Sequence, residues 1–278
     1  MEWINGRHVI VTGPTSGLGW QIAHELGAMG AVLVLACRDV ARGEVVAGEI
    51  AARPGAVPPV VLPLDAASRA SIEAFARAYR ARVPRLDVLV NNAGVANGTR
   101  AVTPEGLELT FATNVLGYQR LTLALLDQLK AGAPSRIVNV ASLFASDLDL
   151  DDLQFIRRPY QELQAYAQSK ACNRMLSWAL ARRLDGTGVT VNAYAPGFVP
   201  ATGLSRNLSP ELRAVYATRA GRSLAQGADT AVWLASSPDV EGLSGRFWSD
   251  RREVPCQFRD QAAEERLWRI CEAIDAPV

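Results

Sequence analysis

At 278 residues, 49% hydrophobic and 21% charged, the chain has the composition of a soluble globular protein able to bury a substantial core. Its formal net charge of +1 gives no electrostatic case for nucleic acid or an anionic membrane surface, and the longest apolar run, Ala31 to Cys37, is far too short to cross a bilayer. Two histidines and four scattered cysteines without Cys-x-x-Cys spacing leave no metal-ligand cluster and no Ser-His-Asp triad, so any general acid or base must be another residue type.

The first expected strand runs from Arg7 to Thr12, a short β-branched apolar run. No basic, apolar, small-residue leader precedes it, and the cysteine usage fits reduced thiols, so a cytoplasmic location without a membrane anchor is expected. The strand enters Gly13-Pro14-Thr15-Ser16-Gly17-Leu18-Gly19 and then a helix from Trp20 to Met29. Strand, glycine-rich turn and helix together present backbone N–H groups and a helix N-terminus to a phosphate. The spacing is Gly-x-x-x-Gly-x-Gly, and the Gly-Lys-Ser/Thr ending of a nucleoside triphosphate loop is absent. A second strand, Ala31 to Ala36, ends in Cys37-Arg38-Asp39. An acid at that strand end would bind the ribose hydroxyls of NAD, whereas a nearby arginine accommodates the 2′-phosphate of NADP. Cys37 stands where the acid is expected and Arg38 follows it, which favours NADP(H) over NAD(H). Asp39 fits better as the cap of a helix beginning near Val40.

Val60 to Leu64 is a third strand ending at Asp65, and Ser68 caps a helix through about Arg82. A fourth strand, Leu86 to Asn91, runs into Asn91-Asn92-Ala93-Gly94, small and polar residues at a strand's carboxyl end, where open α/β sheets place their ligands. A helix from about Gly106 to Lys130 is broken near Asn114. Ile137 to Ala141 is a fifth strand that delivers Ser142. The next helix carries Tyr166 and Lys170 and extends to about Leu184. Residues four apart share a helix side, and if that side faces a cavity the ammonium favours the phenolate of a group whose ordinary pKa is ~10. Val189 to Tyr194 is a sixth strand followed by Pro196-Gly197, Thr230 to Ser236 continues another helix, and Arg246 to Ser249 is a closing strand. Alternating strands and helices with near-continuous apolar strands predict an α/β fold, a doubly wound parallel Rossmann-type sheet flanked by helices on both faces, as one domain over 1–278. The stretch 254–278 reads as a helical tail within it, amphipathic over Ala262 to Ile274.

The ordered set Thr12-Gly13-x-x-x-Gly17-x-Gly19, Asp65, Asn91-Asn92-Ala93-Gly94, Asn114, Ser142, Tyr166-x-x-x-Lys170 and Pro196-Gly197 resembles the short-chain dehydrogenase/reductases over about residues 6–250. Within that family the chain looks most like the branch holding retinol dehydrogenases and light-dependent protochlorophyllide reductases. The stretches carrying this are Leu35 to Asp39 with Gly43-Glu44, Asp149 to Gln154, and Pro196 to Leu204.

The resemblance implies an NADP(H)-dependent oxidoreductase that interconverts an alcohol and a carbonyl on a bulky, largely apolar substrate. Tyr166 would give or take the proton on the substrate oxygen and Ser142 would hold that oxygen. Lys170 would bind the nicotinamide ribose and favour the tyrosinate, and Asn114 would hold a water linking Lys170 to solvent. The cofactor would lie on Gly13, Thr15, Ser16, Gly17, Leu18 and Gly19, with Asp65 at the adenine and Asn92, Ala93 and Gly94 at its ribose. Pro196, Val199 and Thr202 would stand near the carboxamide and a phosphate. Asp65 is also readable as a helix cap, Ser142 as a strand-end cap, and Pro196-Gly197 as a plain turn.

The segment from Ser142 to Tyr166 is longer than the family's shortest forms, and the insert 147–160 is expected over the cleft rim or on the surface, shaping entry. Phe144, Phe155, Leu204 and Tyr216 are candidates for an apolar substrate wall. Family habit implies a homodimer or homotetramer. The other readings are a non-catalytic NADP(H)-binding redox sensor, which usually lacks the Tyr or Lys, and a light-dependent double-bond reductase.

Overall fold

A computed structural model describes residues 3–276, so the first two and last two positions of the expected 1–278 domain, and with them the last two of the expected 254–278 tail, lie outside the described residues. Eight strands form one sheet in the order β3-β2-β1-β4-β5-β6-β7-β8. They are β1 (His8–Thr12), β2 (Val32–Cys37), β3 (Val60–Pro63), β4 (Val88–Asn91), β5 (Ser135–Val140), β6 (Val189–Tyr194), β7 (Arg246–Ser249) and β8 (Arg252–Glu253). All pair in parallel except β8, which pairs antiparallel with β7. The expected closing strand is therefore followed by one more short edge strand. Order reverses between β1 and β4, the switch point at which a doubly wound sheet opens a crevice at its carboxyl edge.

The helices are α1 (Gly17–Ala28), α2 (Val40–Ala51), α3 (Arg69–Arg80), α4 (Leu109–Phe111), α5 (Gly117–Ala124), α6 (Leu126–Ala131), α7 (Glu162–Arg183), α8 (Pro210–Thr218), α9 (Leu224–Ser236) and α10 (Gln261–Asp275). They bury apolar side chains on both faces of the sheet. One core gathers Ile22, Leu26, Val46 and Ile50 of α1 and α2 with Ala231 and Leu234 of α9. The other gathers Phe75 of α3, Leu121 of α5, Met175 and Trp178 of α7, and Leu267 of α10. The tail is part of this second core: Leu267, Trp268 and Cys271 are buried, and Arg183 lies over the Trp268 ring at 4.1 Å.

Two expectations change. The helix expected from Gly106 starts later, at Leu109, because Gly106 takes a positive φ of 79° in a turn and the Glu108 carboxylate accepts from the N–H groups of Thr110 (2.8 Å) and Phe111 (2.6 Å). It then passes through a π-helical turn over Ala112–Leu116 that contains Asn114. Of the two places expected for the insert 147–160, it takes the surface and not the cleft rim: Asp147, Asp151 and Ile156 are exposed and none of its residues lines the cleft. Leu153 and Phe155 are buried, and Asp152 accepts from the backbone of Ile156 (2.7 Å), Arg157 (3.2 Å) and Arg158 (2.9 Å), folding the insert onto the body. Among the described residues no helix is long and apolar enough to cross a membrane.

Candidate active site

A cleft of about 1080 Å³ opens along the carboxyl edge of the sheet, slightly above the ~300–1,000 Å³ usual for small-molecule sites. Thr12, the last residue of β1, is buried next to the lining residues Gly13, Asn92 and Ala93. The Thr12 hydroxyl accepts from the N–H of Asn92 (2.8 Å) and of Ala93 (2.9 Å) and donates to Val90 O at 3.3 Å. The Asn92 amide donates in turn to Thr12 O at 2.8 Å. The loop after β4 is thereby laced to the glycine turn. Gly13 opens that turn at φ 65° and Gly17 starts α1 at φ 60°, conformations that disfavour a β-carbon. Gly19 is required for a different reason: a β-carbon there would run into Gly13 O and the Asn92 amide.

Gly13, Thr15, Ser16, Gly17 and Leu18 line the cleft, whereas Gly19 packs behind it. Ser16 caps α1 with no side-chain hydrogen bond, and the first turn holds no acid. The N–H groups and positive dipole end of α1 are thus left for an anion. At one end of the cleft stand Cys37, Arg38, Asp39, Arg42 and Asp65. Asp39 caps α2 by accepting from Arg42 N at 2.9 Å, as expected. Asp65 accepts from Ala67 N at 3.0 Å, while the cap of α3 is Ser68, so the helix-cap reading of Asp65 is replaced by a local turn. Arg38 and Arg42 form no ion pair among the described residues, and Arg42 carried no signal beyond being a helix-surface cation in the sequence.

The other end brings Ser142, Tyr166 and Lys170 together at the cleft wall, with Asn92, Ala93, Gly94, Pro196, Val199 and Thr202 alongside. Lys170 is 3% exposed, and its Nζ donates to Val140 O at 2.7 Å, 5.6 Å from the centroid of the Tyr166 ring. Burial lowers Lys170 from 10.5 to about 7. Tyr166 is pushed above its ordinary value, chiefly by burial, then by the neighbouring Tyr216, with hydrogen bonding to Ser142 pulling the other way. Desolvation thus holds both groups toward their neutral forms and opposes the expected preference for tyrosinate. The Ser142 hydroxyl also accepts from Phe144 N at 3.0 Å, so its strand-end cap role is real as well.

Asn114 does not line the cleft. Its amide donates to Val95 O at 2.9 Å and Ser169 Oγ at 3.0 Å, and its oxygen accepts from Val95 N at 2.9 Å. The side chain clamps the loop after β4 to α7, beside Lys170 in sequence. A π-helical turn supplies the reach for that clamp.

Apolar walls continue outward from Ser142 through Phe144, Leu163, Phe198, Leu204, Val215 and Tyr216. Phe144 and Val215 are 49% and 54% exposed, and Phe198 meets Tyr216 edge-on at 5.2 Å. Phe155 is not on this wall; it is buried against Tyr160 at 5.4 Å. Helix α8, unforeseen from sequence, forms the outer lip, and none of its residues is buried. Ser209 before Pro210 was its available signal, a cap followed by proline at the first helical position. Ser209 N also donates to Glu162 Oε2 at 2.8 Å, tying the lip to the start of α7.

A dinucleotide suits this donor set: an uncapped helix start in the middle, two unpaired guanidinium groups at one end, and a Tyr/Lys/Ser cluster at the other. Comparison with known proteins points the same way. The family model described as short chain dehydrogenase matches residues 7–213. Retinol dehydrogenase 14 of Homo sapiens is 39% identical over 293 residues, covering 98% of this chain and 87% of that protein. The solved Pseudomonas aeruginosa RhlG/NADP active-site complex is 28% identical, with a TM-score of 0.71 and coverage of 89% of this chain and 96% of that one. The 3-ketoacyl-(acyl-carrier-protein) reductase of Brucella melitensis, solved with NADH, is 26% identical, with a TM-score of 0.68 and coverage of 88% and 96%.

Proposed function

The chain belongs to the short chain dehydrogenase family, oxidoreductases of alcohols and carbonyls, and on that premise we propose that it is an NADP(H)-dependent enzyme acting on a bulky, mostly apolar substrate. The observation that carries this reading is the shared cleft, with Tyr166, Lys170 and Ser142 at one end and Arg38 with Arg42 at the other. NADP(H), when bound, supplies or accepts the hydride. In the reducing direction Tyr166 gives its proton to the substrate oxygen; in the oxidising direction it first passes its own proton toward the neutral Lys170 amine and then, as tyrosinate, takes the proton from the hydroxyl. Ser142 holds that oxygen by hydrogen bond. Lys170, titrating at about 7 while buried, is poised to pass a proton on near neutral pH and to hold the ribose of the cofactor. Arg38 and Arg42, both on the cleft lining, would hold a 2′-phosphate, which supports NADP(H) over NAD(H). The apolar walls from Phe144 to Tyr216 suit a hydrophobic alcohol or aldehyde, the class to which a retinol dehydrogenase is directed by name.

The test is turnover of a panel of apolar ketones, aldehydes and alcohols, followed in the dark by NADPH absorbance. Wild type is expected to turn over, and Tyr166→Phe to bind NADPH normally with kcat reduced at least ~100-fold, the scale of lost acid/base catalysis. Turnover only under illumination, or equal turnover by wild type and Tyr166→Phe, refutes the assignment.

A further inference from the structure

Arg174 sits one turn beyond Lys170 on α7 and is 2% exposed. No carboxylate pairs with it among the described residues. Its guanidinium donates to Ser142 O and to Cys256 Sγ (3.3 Å) and stacks over the Phe247 ring at 3.9 Å, with the Phe258 ring at 5.7 Å, while its Nε has no partner. A buried cation without an anion is unfavourable, partly offset by aromatic faces. Its target explains the placement. The pairing of β5 with β6 ends where Ala141 N donates to Tyr194 O (2.8 Å), so the sheet does not hold the Ser142 carbonyl. Helix α7 instead buttresses this strand end at alternate carbonyls: Lys170 and Asn173 donate to Val140 O (2.7 and 3.4 Å), and Arg174 takes Ser142 O.

We propose that Arg174 is the positioning residue for Ser142. It fixes the backbone that aims the hydroxyl, and Phe247 with the segment around Cys256 and Phe258 holds it from behind. This makes the stretch after β8 part of the catalytic apparatus although it never reaches the cleft. The inference rests on the reading of Ser142 as the residue that holds the substrate oxygen.

The test is a double-mutant cycle in the full chain. Arg174→Met keeps the stem's bulk and removes the donors; kcat is expected to fall about 10- to 100-fold, the cost of misplacing a reacting group by about an ångström. NADPH affinity stays within about twofold, because the loss belongs to the transition state. Arg174→Lys restores part of kcat, and Phe258→Ala gives a smaller loss in the same direction. In a Ser142→Ala background Arg174→Met costs nothing further. An unchanged kcat in Arg174→Met, or the same fold-loss with and without the Ser142 hydroxyl, overturns the proposal. If Tyr166→Phe is inactive but Ser142→Ala is not, the role of Ser142 falls, and that of Arg174 with it. If wild type itself shows no Tyr166-dependent turnover, the functional reading fails first.

Discussion

Replacing Lys170 with methionine should abolish activity yet make the cofactor-free protein more stable at neutral pH. Moving the ammonium from 10.5 to about 7 makes the charged form less stable in the fold by about 5 kcal/mol, at roughly 1.4 kcal/mol for each tenfold change in proton affinity. Between these two values the unfolded chain binds the lysine proton and the folded chain does not, so stability contributed by this group rises with pH across the window. Below about 7 the lysine is charged in both states and the full burial penalty is present; above 10.5 it is neutral in both and the penalty is gone. Relaxation and water entry reduce what is measured, so Lys170→Met should exceed wild type by about 2–4 kcal/mol at low pH. The gap should close, or reverse by up to ~1 kcal/mol through the missing bond to Val140 O, as pH approaches the upper end. Urea unfolding of the cofactor-free pair, from about pH 6 to about pH 10, measures the difference, in which other titrating groups largely cancel. A difference independent of pH, or a variant less stable than wild type throughout, refutes the idea that burial strains Lys170.

Arg38→Asp is expected to weaken NADPH binding about 10- to 100-fold, the range for one charge-assisted contact, while leaving NADH unaffected or improved. Titration of both cofactors by fluorescence decides it, and equal affinity of wild type for the two would remove the basis for assigning Arg38 this role. Gly19→Ala places a methyl into Gly13 O and the Asn92 amide, so a loss of about 1–3 kcal/mol in stability is expected together with weakened cofactor binding. Unchanged melting and unchanged NADPH affinity would mean that the glycine turn tolerates displacement and does not position the cofactor.

The parallel sheet was legible because its inner strands are short apolar runs buried on both faces, and β6 begins and ends at the expected residues. The site's cluster was legible for a similar reason: Ser142, Tyr166 and Lys170 lie at the ends or along the sides of regular elements whose period places them. What escaped was set by contacts between distant segments. Phe144 and Phe155 are the same residue type on one irregular stretch, yet one lines the cleft and the other is buried against Tyr160, a difference made by Asp152 folding the insert. Asn114 reads as a helix break, but its clamp to Val95 and Ser169 exists only in the fold. Helix α8 has no buried side chain, so periodicity had little to reveal. Arg174 resembles a surface cation because α7 is buried on nearly every side and carries no apolar stripe to mark what faces inward. Expectation and structure also part over the Tyr166–Lys170 pair, where sequence spacing conveys proximity but not desolvation.

The attachment of α10 has a consequence for the order in which the molecule can be completed. Its buried Leu267, Trp268 and Cys271 cover α7, Glu264 and Glu265 meet Arg182 and Arg183, and Asp275 pairs with the almost fully buried Arg120 of α5 at 2.6 Å. The segments that must be covered are synthesised long before the segment that covers them. Until Gln261–Asp275 leaves the ribosome, Leu180 lacks Trp268 beside it and Arg120 lacks its Asp275 partner. The nascent chain therefore carries its sheet and its glycine turn while one flank still exposes apolar surface, and that flank is closed only once Gln261–Asp275 has been made.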